Sequence, residues 1–331
     1  MQHCCRASLH PWPVQKSPLP AAASQARRHR RARHHTIMAA TPLLAFDRLA
    51  SQPATADPAA APALIAVLHG ITGSSSQYAP FVQHLVDAAA ASAGRPVEAL
   101  VINLRGHGGS RDLPLPPPHT MEAAREDVLA LLRHELGEGR APAALLGHSV
   151  WVIDAAAGPT DPAFFNLMST GLASLESVPQ PAESLEVFTQ AAADAGLPAS
   201  VQQNLVSRCE PDPAAPGRFR TSYVPAVAAS LLDDYCHTDL GGLLEAPPAG
   251  LQLHLIYGSQ SIILDRCPED KARFGAAMAT KQESGGDRSG GSAEAVQYWQ
   301  VEGASHFVPW THPAELAAAI APVLAPALAD A

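Results

Sequence analysis

The chain has 331 residues, 47% of them apolar and 16% charged, with a formal net charge of −9. That length suits one large α/β domain with an inserted segment, or two small domains. No run of about eighteen apolar residues occurs, which argues against an integral membrane segment. The acidic balance argues against nucleic acid as a partner.

The N-terminus departs from the rest. Residues 1–46 contain no Asp or Glu but carry Arg6, Lys16, Arg27, Arg28, Arg30, Arg31 and Arg33. Without those seven positive charges the formal charge falls from −9 to −16. Arg-rich, acid-free composition with much Ala, Ser and Pro is that of an organellar transit peptide, for a chloroplast or a mitochondrion. The alternatives are a disordered basic arm, or translation from Met38, which gives a cytoplasmic protein. Residues 1–41 are therefore set apart as transit peptide or disordered. Cys4 and Cys5 lie in this stretch. Cys209, Cys236 and Cys267 are scattered without CxxC or metal spacing and read as free thiols of a reducing compartment.

Leu64 to Leu68 is a continuous apolar run, the sign of a strand buried on both faces. A helix is expected from about Gln77 to Ala91, with Phe81, Leu85 and Val86 on one face, and a second buried strand from Ala99 to Leu104. Thr120 suits the N-cap of a helix running to about Leu136, with Glu122 near its positive end. Ala143 to Leu146 reads as a third strand and Val150 to Ile153 as a fourth. Strands alternating with helices imply a mostly parallel sheet with helices on both faces. Residues 159–245 show no comparable buried strand. They carry amphipathic helical patterns at 182–195, 198–207 and 223–236. This predicts a helical cap at 159–245 between an N-terminal core part, 42–158, and a C-terminal core part, 246–331. The sheet resumes at Leu251 to Tyr257. Residues 281–295 form a Gly/Ser-rich loop, Val296 to Val301 a last strand, and Pro313 to Ala329 a closing helix.

The chemistry is expected at the strand ends. Gly147-His148-Ser149 follows the third strand, where a sharp turn would expose a serine oxygen at the carboxyl edge of the sheet. Gly303-Ala304-Ser305-His306 follows the last strand and places His306 where a general base belongs. His69-Gly70-Ile71-Thr72-Gly73 follows the first. Its glycines allow a turn in which the Ile71 N–H, paired with the N–H of Val150, faces an oxyanion. Two carboxylates compete to orient the base. Asp154 ends the Val150–Ile153 strand and is preferred. Asp265 follows the strand ending at Tyr257 but comes four residues later than the usual spacing. Leu104-Arg105-Gly106-His107-Gly108-Gly109-Ser110 reads as structural, with Arg105 meeting a carboxylate or a backbone carbonyl. Serine, acid, histidine is the chain order of a Ser-Asp-His triad on such a scaffold. An aspartate nucleophile, as in dehalogenases and epoxide hydrolases, is disfavoured by Ser149. No feature points to a metal or other cofactor.

VLHGITGSSSQY, INLRGHGGS, PHT at 118–120, LLGHS, VWVIDAAAG and VEGASHFV together resemble the α/β-hydrolase superfamily. They look most like the small organellar esterases of the α/β-hydrolase-domain-11 type. The resemblance covers 42–158 and 251–325, and the 159–245 segment matches loosely. It implies an α/β-hydrolase fold with a helical cap and hydrolysis of a small-molecule acyl ester or thioester. Ser149 would be the nucleophile and His306 the base, and some relatives take the acid from the position of Asp154. Those relatives carry GHSxGG and then a helix before the VWVLDA-like strand. Here Ser149 runs directly into Val150-Trp151-Val152-Ile153. Neighbouring parallel strands need a crossover of about a dozen residues or more, so roughly two dozen residues, a helix and its flanks, are missing relative to that pattern. A catalytically impaired splice form, a gene-model artefact or a pseudo-enzyme is the competing reading. The acyl group and the oligomeric state are not legible.

Overall fold

The structure is a computed structural model; it describes residues 42–53, 60–147, 161–249, 251–261, 263–283, 295–329 and 331. The basic N-terminal segment, the 281–295 loop beyond residue 283 up to residue 294, and the expected strand at Val150–Ile153 lie outside the described residues.

Four strands form the first sheet: β1 (Phe46–Ser51), β2 (Ala63–Leu68), β3 (Val97–Ile102) and β4 (Ala144–Gly147), in the order β1-β3-β2-β4. β2 is parallel to both β3 and β4, and β1 closes the edge antiparallel to β3. The period of two along β2 assigns its side chains to two layers. Ile65 and Val67 face the core shared with α1 (Ser75–Ala93) and α11 (Pro313–Ala329), as do Ala99 and Val101 of β3. Ala66, Leu100 and Ile102 face the opposite core, where α2 (Met121–Leu136) lays down Val128, Leu131 and Leu132. The strands expected at 64–68, 99–104 and 143–146 and both flanking helices are therefore present. β1 is an addition, an edge strand whose exposed Arg48 and Ala50 hide it from a search for apolar runs.

Helix α1 buries Tyr78, Phe81, Val82, Leu85, Val86, Ala89 and Ala90, an i, i+3, i+4 stripe matched to the sheet and to α11. It ends where Gly94 takes φ +66° and returns its N–H to the Ala90 carbonyl. The Thr120 hydroxyl caps α2 by accepting the Ala123 N–H at 3.1 Å, as expected.

After β4 the described chain resumes in a helical region: α3 (Pro162–Glu176), α4 (Leu185–Asp194), α5 (Ala199–Val206), α6 (Pro225–Cys236) and α7 (Gly241–Glu245). A hairpin of two three-residue strands, β5 (Cys209–Pro211) and β6 (Phe219–Thr221), interrupts it. This region has its own apolar cluster, built on Leu172, Leu175, Phe188, Leu205, Tyr223 and Leu232. β7 (Leu253–Gly258) then pairs in parallel with β8 (Val296–Val301), through α8 (Ile263–Arg266) and α9 (Pro268–Glu283). Among the described residues no ladder joins β7–β8 to the first sheet, but one core does. Ile256 of β7 and Val301 of β8 share a cluster with Leu146 of β4 and the inner face of α11. A short helix, α10 (Val308–Thr311), precedes α11. No described helix is long and apolar enough to cross a membrane.

Candidate active site

β4 ends at Gly147, which lies in register with Leu68, the last residue of β2. The segments that leave these two parallel strands, from His69 and from His148, therefore emerge at the same edge. Ser149, Val150 and Asp154 lie outside the described residues, so the expected nucleophile, one expected oxyanion donor and the preferred acid have no described geometry.

The loop after β2 is held from three sides. His69 is buried, its Nδ1 2.8 Å from the Gly70 carbonyl and its Nε2 3.0 Å from the Leu104 N–H. These partners assign the tautomer: Nδ1–H donates to Gly70, and the Nε2 lone pair accepts from Leu104. The Gly73 N–H closes the turn on the Gly70 carbonyl at 2.8 Å. A Cβ on Gly73 would meet the His69 Cβ at 2.9 Å, so the turn has no room for one. The Gly70 N–H reaches the Tyr78 hydroxyl at 3.4 Å. Among the described residues no acceptor engages the Ile71 N–H, whereas the Ile71 carbonyl lies 2.6 Å from His107 Nε2. A free N–H on a carbonyl-anchored residue fits an oxyanion donor.

That anchor comes from the turn after β3. His107 is fully buried, with Nδ1 2.7 Å from the Arg105 carbonyl and Nε2 on Ile71. Burial pulls its pKa below the ordinary imidazole value, and the two carbonyl acceptors act the other way. Arg105 meets both kinds of partner expected for it. Nε pairs with the Asp127 carboxylate at 2.8 Å, Nη1 donates to the Pro118 carbonyl at 2.9 Å, and Nη2 donates to the Ala123 carbonyl at 3.2 Å. Gly108, at φ +47°, has the Asn103 Oδ1 only 2.0 Å from where a Cβ would stand. The turn also carries the helical region: the Gly108 N–H donates to the Ser222 carbonyl and the Val224 N–H to the Gly106 carbonyl.

His306 is half-buried on the loop that leaves β8, its ring 5.1 Å from that of Phe307. The loop crosses the end of β7 in backbone contact. A Cβ on Gly258 would lie 2.4 Å from the Ala304 carbonyl and 2.6 Å from that of Ser305, and the Gln260 N–H donates to Ala304 at 2.8 Å. Beyond His306, Trp310 packs edge-on against Tyr78, the residue that receives the Gly70 N–H, with ring centroids 5.0 Å apart. So the His306 loop and the Ile71 loop are tied together through one aromatic pair. Asp265, in α8, is exposed and its carboxylate pairs with Lys271 at 2.5 Å. The lysine holds that carboxyl below the usual carboxylate range.

Cys209, Cys236 and Cys267 are free thiols, and burial raises the Cys209 thiol to about 12. Among the described residues no group of three His, Cys, Asp or Glu side chains stands ready for a metal ion. Three further residues border the site: His107, in the turn read as structural, and Trp310 and Arg208, whose roles the sequence does not show. Arg208 lies between α5 and β5, with its guanidinium carbon 4.7 Å from the centre of the Trp310 ring. No motif marks it.

Comparisons with known proteins agree with this architecture. A marine-microorganism esterase superposes with a TM-score of 0.53 at 14% identity, covering 83% of this chain and 97% of its own. E-2-(acetamidomethylene)succinate hydrolase gives 0.51 at 18% identity, covering 87% and 96%. A structure from work on carboxylesterases of the ammonia-oxidizing thaumarchaeon Nitrososphaera gargenis gives 0.52 at 14% identity, covering 88% and 99%. At such identities the likeness is one of fold. Among curated proteins no sequence match was found. The sequence profile of the Alpha/beta hydrolase family matches residues 65–319, and the parallel strands, the glycine turn after β2 and the histidine loop after β8 all fall within it: the chain belongs to the Alpha/beta hydrolase family.

Proposed function

We propose that the protein is a serine ester hydrolase, acting on small acyl esters or thioesters through Ser149, Asp154 and His306, with the N–H groups of Ile71 and Val150 receiving the oxyanion. The observation that carries this reading is the convergence of loops at one edge. The segment entering Ser149 leaves β4 beside the Ile71 loop, and Trp310 ties the His306 loop to Tyr78 and Gly70. In the proposed reaction Ser149 Oγ attacks the acyl carbon and gives its proton to His306. The imidazolium is stabilised by the acid and then protonates the departing alcohol or thiol, and water repeats the sequence on the acyl-enzyme. Asp154 is preferred as the acid because the Asp265 carboxylate is exposed and engaged by Lys271.

The direct join of Ser149 to Val150 bears on rate. In the α/β-hydrolase-domain-11 pattern a helix follows the serine, so its N-terminal dipole and small residues support the nucleophile turn. Without it the second oxyanion donor belongs to a strand. Loss of one such donor typically costs about 100- to 1,000-fold, and a misaligned nucleophile adds to that. The chain as written is therefore a weak hydrolase, and a form with the helix inserted between Ser149 and Val150 is active. The basic segment before residue 42 fits delivery to an organelle, and 159–245 fits a cap over the cleft.

The test is fluorophosphonate labelling of both forms beside turnover of a short-chain p-nitrophenyl ester, with Ser149→Ala as the blank. Ser149-dependent labelling of the helix-restored form is expected. Labelling that survives Ser149→Ala, or none in the restored form, would falsify the serine-hydrolase reading. Equal turnover by the two forms would remove the argument from the missing helix.

A further inference from the structure

Arg208 is only 8% exposed, yet among the described residues no carboxylate lies within ion-pair distance of it. A guanidinium offers five N–H donors. Nη1 donates to the Gln77 side-chain oxygen at 2.8 Å, and the flat face rests on Trp310. Nε is buried without a hydrogen-bond partner, and Nη2 donates no hydrogen bond among the described residues. Nε is sealed inside, so the donor left for an outside acceptor is Nη2, which suits an oxygen of a carboxylate or phosphate. A buried cation without an anion is costly, and proteins rarely leave one unpaired.

Two further observations point the same way. Ser222 Oγ and Tyr223 Oη are also buried without hydrogen-bond partners, and the Ser222 N–H donates to the Arg208 carbonyl at 2.8 Å. Three orphaned polar atoms thus fall on two adjoining stretches, where a packed apolar interface would leave none. Arg208 also lines an open cleft of about 450 Å³ together with Gln77, Phe307 and Trp310. Gln77 lies in the first turn of α1, just past the oxyanion loop, and Phe307 follows His306. The guanidinium therefore stands between the two loops of the reaction edge.

We propose that Arg208 is a specificity-determining residue that pairs, through Nη2, with an acidic group on the substrate remote from the scissile bond. This rests on the hydrolase reading above and narrows it to esters or thioesters that carry a separate carboxylate or phosphate. The indole beneath the guanidinium shields the pair from water, which strengthens it.

Binding tests this independently of turnover. In a Ser149→Ala background, affinities are measured by calorimetry for monomethyl glutarate, for its uncharged counterpart dimethyl glutarate, and for methyl phosphate. The monoanion is expected to bind tighter than dimethyl glutarate. Arg208→Gln should weaken the monoanion by about 10- to 100-fold, the loss expected when a charge-assisted pair is removed. The neutral diester should change little, and Arg208→Lys should recover part of the loss. Tighter binding of methyl phosphate than of monomethyl glutarate assigns the natural anion to a phosphate, and the reverse order to a carboxylate; either supports the site. Equal affinity for charged and neutral esters, binding of neither anion, or an unchanged monoanion affinity in Arg208→Gln overturns it. If Arg208→Gln melts early, the charged-against-neutral preference of the parent decides alone. With Ser149 present in the helix-restored form, 4-nitrophenyl glutarate should be favoured over 4-nitrophenyl butyrate. Anion binding with no Ser149-dependent turnover of either by that form would sink the hydrolase reading and leave the anion site standing.

Discussion

Among the described residues two arginines are buried, and they are buried differently. Arg105 is closed on itself: a carboxylate at Nε and backbone carbonyls at both Nη atoms occupy its donors. Arg208 has an indole, one side-chain amide and an edge with no partner. The first pattern is that of a residue whose partners were all supplied by folding. The second leaves unmet demand at the mouth of a cleft. A buried charge is thus informative through its partners, and its depth alone says little. The pairing of Arg105 holds a turn, while the incomplete pairing of Arg208 points outward to a ligand.

The contrast can be broken by mutation. The largest effect is expected at Arg105. Arg105→Leu strands the Asp127 carboxylate and the carbonyls it serves, and should cost roughly 3–5 kcal/mol of unfolding free energy in urea. A loss below about 1 kcal/mol would place Arg105 among ordinary surface ion pairs. Gly108→Ala comes next. Its Cβ would stand inside contact distance of Asn103 Oδ1, at a positive φ, and a loss of about 1–3 kcal/mol is expected by the same measurement.

The pH dependence sharpens the picture of the first region. His107 has its pKa lowered in the folded state by burial. The unfolded chain then binds the proton more readily, so this contribution is complete above the unfolded value of about 6.5 and is lost as pH falls below it. His107→Gln should flatten that part of the stability curve; a mutant curve that parallels the parent between pH 7 and pH 5 would show that another group titrates there. The smallest effect is expected at Arg208. Arg208→Leu removes a stacked cation and one hydrogen bond but also an uncompensated buried charge. Its unfolding free energy should stay within about 1 kcal/mol of the parent. A loss matching that of Arg105→Leu would erase the distinction between the two sites.

The sheet was readable because a strand buried on both faces writes a continuous apolar run, as ALIAVL does in β2; VQYWQV, half-buried and interrupted by Gln297 and Gln300, became β8 with its expected ends. FDRLAS escaped because an edge strand keeps polar residues on its open side, and CEP and FRT are too short to carry a period. The helix α9 escaped for a related reason, since PEDKARFGAAMATKQE packs chiefly through Phe274 and Ala277. At the site, the Ile71 and His306 loops were legible because glycines bracket them after strong strands. Arg208 was not, because its sequence neighbours are polar and its meaning arises only when Trp310, more than a hundred residues later, comes beneath it. The carbonyl that His107 holds is likewise a tertiary fact, although the histidine itself sat in a motif read as structural.

The contact between Gly258 and the carbonyls of Ala304 and Ser305 sets where this protein can bend. Main chain lies directly on main chain there, so the His306 loop has no side-chain cushion to compress and travels with β7 as one piece. The helical region is fastened otherwise, among other contacts by the Gly108 N–H donating to the Ser222 carbonyl and the Val224 N–H donating to the Gly106 carbonyl. Those bonds can part and re-form without displacing the floor. Selection for a new substrate would then fall on the roof, beginning at the stretch that carries Arg208, Ser222 and Tyr223, while the wall that holds the base stays constant.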